Sequence, residues 1–165
     1  MDASKLPARL MLDTQILVLA LEHQSVKHAN NPSTALARKL WEIAIGSRRT
    51  RVLIAAPSVF EFRVSPSAPP LPRLANIEYV AYSAVVAEDM SKWASPHVLK
   101  PPPGTKETTR NIVRYDALIV ACAAHWKADL LVSEDNGMQT LADAARVQCV
   151  TLDYFLESQP NLFGE

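Results

Sequence analysis

Four acids hold positions from which chemistry can be run: Asp13, Glu61, Asp116 and Asp135. Asp13 follows the apolar run at residues 9–12, and Asp135 follows the run Leu130-Leu131-Val132. In an open parallel sheet ligands bind outside the carboxyl ends of strands, and both acids fall at that edge. Asp116 opens a helix that is apolar on almost every face over residues 117–124, so its carboxylate is expected in the first turn. A short turn then leads into the strand that ends before Asp135, which brings the two acids side by side. Glu61 lies between Phe60 and Phe62, where it either faces solvent or projects over the same edge as Asp13. Asp13 has a plainer use as the N-cap of the helix that follows it.

Carboxylates gathered at one edge repel one another, and a divalent cation is the commonest reason for tolerating that. Hard oxygen donors suit Mg²⁺ or Mn²⁺. Such an ion lowers the pKa of a bound water and neutralises charge on a phosphodiester, so no histidine base is needed. Lys106, Arg110 and Arg114 come just before Asp116, where a phosphate-bearing substrate would arrive. The turn at residues 47–51 carries Arg48, Arg49 and Arg51. Its simplest reading is a solvated turn, its sharper one a phosphate contact.

Competing chemistries lack their residues. There is no GxGxxG, no GxxxxGK[ST] and no GxSxG, which removes the dinucleotide fingerprint, the P-loop and the nucleophile elbow. No CxxC or HxxxH spacing marks a zinc site, and His23, His28, His97 and His125 are scattered. Cys122 and Cys149 fall within an expected helix and strand and read as buried, reduced thiols.

The elements that must position the acids alternate. Strands are expected at 9–12, 52–56, 77–82, 130–132 and 147–151. Helices are expected from Ile16 to Leu21, from Ser33 or Thr34 to Gly46, from Pro57 through Phe62, over 84–93 with Val85, Val86, Met90 and Trp93 inward, from Asp116, from Gly137 to Ala144, and as a closing turn at 154–156. Glu88 and Asp89 read as a solvated face. Prolines mark the segments 65–73 and 95–106 as connectors. Strand and helix in alternation argue for an α/β fold with a parallel sheet and helices on both faces.

At 165 residues the chain is expected to form one domain over 1–165. Apolar residues make up 48% and charged residues 21%, as in soluble globular proteins. The net charge of zero argues against a broad, salt-driven nucleic-acid binder, though not against an enzyme that grips one short substrate. No run reaches the ~20 apolar residues of a membrane span, and the start of the chain lacks a signal-peptide core, so a cytoplasmic location is expected.

In order along the chain, LMLDTQILVLAL, APSVFEF, YDALIVACAA, ADLLVSEDNGM and VQCVTLDYFL resemble the motifs of PIN domains, in particular the VapC-like toxins of toxin–antitoxin pairs. The resemblance covers nearly the whole chain. It implies a PIN-like α/β/α sandwich with a mainly parallel sheet, and a Mg²⁺- or Mn²⁺-dependent endoribonuclease holding one or two ions. Asp13, Glu61, Asp116 and Asp135 fall on its four acidic positions, Thr14 on a small hydroxyl that orients the first acid, and Ser133 on a hydroxyl two residues before the last. It further implies an RNA substrate, a homodimer and an antitoxin whose tail covers the groove. Gln15 departs from the usual Asn or Ser, and Glu134 adds an acid, leaving open whether Glu134 or Asp135 meets the metal. A housekeeping RNA-processing nuclease and a catalytically weak PIN-fold binding module share these residues. An aspartyl-phosphate enzyme built on Asp13 would want a second acid where Gln15 stands.

Overall fold

The computed structural model describes residues 1, 3–22, 32–95, 98–99 and 107–156, and only the backbone at 3 and 107–112. Five strands form one sheet: β1 (Arg9–Leu12), β2 (Arg51–Ala55), β3 (Ile77–Val80), β4 (Leu130–Val132) and β5 (Cys149–Val150). Every pairing is parallel and the order is β3-β2-β1-β4-β5. Six helices cover it: α1 (Thr14–Leu21), α2 (Pro32–Gly46), α3 (Ala56–Val64), α4 (Ala84–Ser91), α5 (Glu107–His125) and α6 (Asn136–Ala144), with a 3-10 turn at Leu152–Phe155. This is the expected α/β class.

Because side chains alternate across a strand, each apolar run feeds two cores. Leu10, Leu12, Val52, Ile54, Leu130 and Val132 point to one face and pack with Ile16, Leu40, Phe62 and Phe155 from α1, α2, α3 and the closing turn. Met11, Leu53, Ala55 and Leu131 point to the other, against Val86, Ile119, Cys122 and Met138 from α4, α5 and α6. Burial on both faces explains why the strands read as unbroken apolar runs. Each fully buried Leu, Ile or Phe contributes roughly 1.5–3 kcal/mol. Both cysteines are free thiols, and burial pushes Cys122 up to about 12 and Cys149 to about 11.

One boundary differs in a way that matters. α5 begins at Glu107, so Asp116 is its tenth residue rather than a first-turn acid. The run ETTRNIVR before Tyr115 is polar but contains neither Gly nor Pro, and polarity does not stop a helix. Asp116 therefore gains nothing from the helix N-terminus. Smaller shifts follow from packing. β3 ends at Val80, α4 ends at Ser91, β5 is only two residues, and Val85 is 56% exposed instead of inward. Asp89 is not a bare solvated acid: it pairs with His125 at 2.7 Å and Lys92 at 2.6 Å, joining α4 to the end of α5, and both bonds hold its carboxyl below the usual range. Among the described residues no helix is long and apolar enough to cross a membrane.

Candidate active site

From β1 the chain winds outward to β2 and β3, then crosses back to lay β4 on the other side of β1. The winding direction changes between β1 and β4, and the crevice at such a switch point is where open α/β sheets bind ligands. The loop ends that line it carry Asp13 after β1 and Ser133-Glu134-Asp135 after β4.

Asp13 is the N-cap foreseen for it, at the carboxyl end of β1. As the N-cap of α1 its Oδ1 accepts the N–H of Thr14 at 2.6 Å. Its Oδ2 accepts the Ser133 hydroxyl at 2.8 Å, and its own N–H donates to the Val132 carbonyl at 3.1 Å. These ties fix a carboxylate that is 5% exposed. Burial raises its pKa to about 6; the bonds from Ser133 and Thr14 oppose the rise, and the charges of Glu61 and Asp135 add to it.

Ser133 is the link between strand ends. While donating to Asp13, its Oγ accepts the N–H of Asp135 at 3.1 Å. Asp135 then caps α6, with Oδ1 accepting the Gly137 N–H at 2.5 Å and the Met138 N–H at 3.4 Å. A Cβ at Gly137 would lie 2.9 Å from that oxygen, so the glycine is what lets the carboxylate sit over the helix end. Glu134 turns away: its Oε1 accepts the N–H of Leu152 at 2.7 Å and anchors the closing turn. Of the two adjacent acids, Asp135 is the one in the electrostatic reach of Asp13 and Asp116.

Glu61 projects from α3 toward the same edge, where its Oε2 accepts the Thr14 hydroxyl at 2.6 Å. Thr14 thus orients Glu61 with its side chain and Asp13 only with its backbone, whereas the hydroxyl was expected on Asp13. Asp116, half-buried in mid-α5, makes no hydrogen bond among the described residues. Burial and then the charges of Asp13, Asp135 and Glu61 push it up to about 7. The four acids feel one another, yet among the described residues no three His, Cys, Asp or Glu side chains are already gathered around one point. One oxygen of Asp135 is turned to α6 and one of Glu61 to Thr14, while the second oxygen of each accepts no hydrogen bond among the described residues.

Phe60 and Tyr115 were not singled out from sequence. Their rings lie parallel within 8° at 6.4 Å, and Phe60 is 58% exposed. Each precedes an acid, Phe60-Glu61 and Tyr115-Asp116, and that repeated aromatic–acid pair was the available signal. Arg114 is exposed on the turn of α5 before Asp116. Lys106 and the side chain of Arg110 lie outside the described residues.

No protein-family model and no curated protein matches the sequence. Among solved structures the chain is similar to VapBC2 from Rickettsia felis, crystallised bound to a DNA fragment from its promoter. The likeness has a TM-score of 0.55 at 15% identity and covers 87% of this chain and 98% of that one. At such identity the shared property is the fold, and the PIN-like sandwich is that fold.

Proposed function

We propose that the chain is a metal-dependent endoribonuclease of the PIN type, the toxin of a toxin–antitoxin pair. The observation that carries this reading is that Asp116 feels the charges of Asp13, Asp135 and Glu61, from separate elements, at the β1/β4 switch point, while no hydrogen bond reaches its carboxylate from the described residues. A half-buried carboxylate raised by three like charges is a poor structural element, and its natural complement is a cation. The all-oxygen donor set fits Mg²⁺ or Mn²⁺. Asp13, Asp116 and Asp135 would hold it, with Glu61 directly or through water, and one or two ions fit four carboxylates. When bound, the metal would supply an activated water and charge neutralisation at the scissile phosphate.

The chain's own residues do the positioning. Ser133 and the Thr14 N–H hold Asp13 ionised and oriented, and the Thr14 hydroxyl sets Glu61. Gly137 leaves room for Asp135. The exposed Phe60 face offers a surface on which a base can stack beside the acids, and Arg114 offers a contact for the backbone, with Arg110 and Lys106 proposed on sequence position alone. The VapBC likeness supports a toxin role and an antitoxin partner, and the resemblance of the motifs further implies that this partner covers the acids and that the chain forms a homodimer.

The test is cleavage of a mixed RNA pool by the purified protein with Mn²⁺, with EDTA, and by Asp116→Asn, alongside the melting temperature with and without Mn²⁺. Metal-dependent cutting lost in the variant, with a Mn²⁺-induced rise in melting temperature, is the expected result. Neither cutting nor any Mn²⁺ response from folded protein would overturn the reading in favour of a binding module.

A further inference from the structure

The opposite end of the sheet carries a second concentration of charge. Arg9 and Arg51 begin β1 and β2 and are register partners across that parallel pair, and Arg48 and Arg49 precede β2 in the turn after α2. These four arginines line a cavity of about 770 Å³ in which no acid takes part. Like charges side by side on neighbouring strands are destabilising; among the described residues Arg51 pairs with Glu78 at 3.2 Å, while the Asp129 carboxylate accepts the backbone N–H of Arg9 at 2.8 Å. The Arg9 Nε is shielded from solvent and donates to nothing. Arg48 and Arg49 are exposed, with no ion pair among the described residues.

The loop that presents them is built. Asn76 spends its Nδ2 donors on the carbonyls of Ala44, Ile45 and Ser47, at 3.1–3.2 Å. The Ser47 Oγ accepts the N–H groups of Arg49 and Thr50 at 3.2 Å. Arginines after a helix often serve its C-terminal carbonyls, but Asn76 already occupies those of Ala44 and Ile45 in the last turn of α2. The guanidinium groups are left for something else. A smaller cavity of about 360 Å³ shares Arg9 and Arg51 and continues past Glu78, the partner of Arg51, to His125, Trp126 and Lys127, so the feature is a track rather than a cup.

We propose that this amino-terminal edge of the sheet is a second binding site, for the phosphate groups of a nucleic-acid strand. Guanidinium forks match phosphate oxygens two at a time, and cations interleaved with an aromatic suit a single strand. The site lies beyond the length of β1 from the acids, roughly 13 Å, and it stands whether or not the carboxylates cut RNA. The same chemistry would take a free phosphate compound.

The test is fluorescence anisotropy of a labelled single-stranded oligouridylate with the full chain in EDTA, where no metal-dependent step runs. It compares wild type with Arg48→Glu/Arg49→Glu and with Lys39→Glu, an exposed cation of α2 outside both sites, as a control. The expected result is a Kd at least about tenfold higher in the double variant, with the salt slope reduced by roughly 1.4 for two lost contacts, and no such loss in the control. Calorimetry with pyrophosphate separates the sources: pyrophosphate binding without oligonucleotide binding, lost in the double variant, assigns the site to a free phosphate compound. A folded double variant with unchanged affinity and slope overturns the proposal. So does a wild type that binds neither probe, or one that binds only polyglutamate, which would point to an acidic protein.

Discussion

The two ends of the central sheet are opposites in charge and in how their backbone is used. At the carboxyl ends of β1 and β4 the acids are bound into the helix starts: Asp13 and Asp135 cap α1 and α6 with one oxygen each, and the second oxygen of Asp13 takes the Ser133 hydroxyl. At the amino ends, Asn76 and Ser47 hold the loop with their side chains, and the guanidinium groups of Arg48 and Arg49 make no ion pair among the described residues. The zero net charge hides this segregation. The difference teaches where strain sits. The acidic end shares its side chains between fold and site, so a substitution there moves both; the basic end separates them, so its arginines can be reversed with little cost to the fold.

The largest expected effect breaks the acidic end. Asp116→Asn should lower RNA cleavage by at least about 100-fold, and it should do so while stabilising the metal-free protein. Folded Asp116 titrates near 7 against 3.8 for the free group. Between those values the folded protein keeps a proton that the unfolded chain has released, so stability falls as pH rises from about 4 to about 7. Above pH 7 the metal-free variant should melt higher than wild type, by the equivalent of roughly 1–2 kcal/mol after solvent screening. Most of that gap should close by pH 4.5, and Mn²⁺ should reverse it by stabilising wild type more. Thermal melts across pH, with EDTA and with Mn²⁺, check all three signs. A variant less stable than wild type at pH 8 without metal would mean that the acids do not strain the fold.

Next in size is the contrast between adjacent acids. Asp135→Asn should remove most of the Mn²⁺-induced rise in melting temperature and most cleavage. Glu134→Gln should leave both and lose about 1 kcal/mol of stability through its weakened bond to the Leu152 N–H. The reverse outcome would move the site to Glu134. Ser133→Ala comes third: it strips Asp13 of a donor and Asp135 of its N–H acceptor, and metal affinity measured by calorimetry should fall roughly 10–100-fold.

The sequence made the α/β class legible because the three central strands, β2, β1 and β4, are apolar on both faces and helices lie between successive strands, so Leu10-Met11-Leu12 and Leu130-Leu131-Val132 could hardly be misplaced. The acids were legible as strand-end and helix residues. The start of α5 was not, since Glu107 to Arg114 carries no stop signal of either kind, and Asp116 was placed in a first turn that it does not occupy. Hydrogen-bond partners were also out of reach. Whether Thr14 serves Asp13 or Glu61 depends on where α3 comes to rest against α1, and the retreat of Glu134 depends on a closing turn 18 residues away in sequence. The arginine turn could be noticed but not weighed, because its meaning rests on Asn76 occupying the carbonyls first.

Gly137→Ala should have the smallest effect and the most specific one. Position 137 is the second residue of α6, where alanine is favoured over glycine by as much as ~1 kcal/mol. The added Cβ would meet the Asp135 Oδ1 at 2.9 Å, so that carboxylate must rotate, and its bond to the N–H of residue 137 must lengthen. The capping loss of about 0.5–1 kcal/mol and the helix gain nearly cancel, leaving the melting temperature of the metal-free protein almost unchanged. The Mn²⁺ affinity should nevertheless fall several-fold, because Asp135 meets the crevice from a new angle. Calorimetry beside thermal melts separates the two quantities. Unchanged affinity at unchanged stability would show that Asp135 only caps α6, and the acidic end would then hold three working carboxylates rather than four.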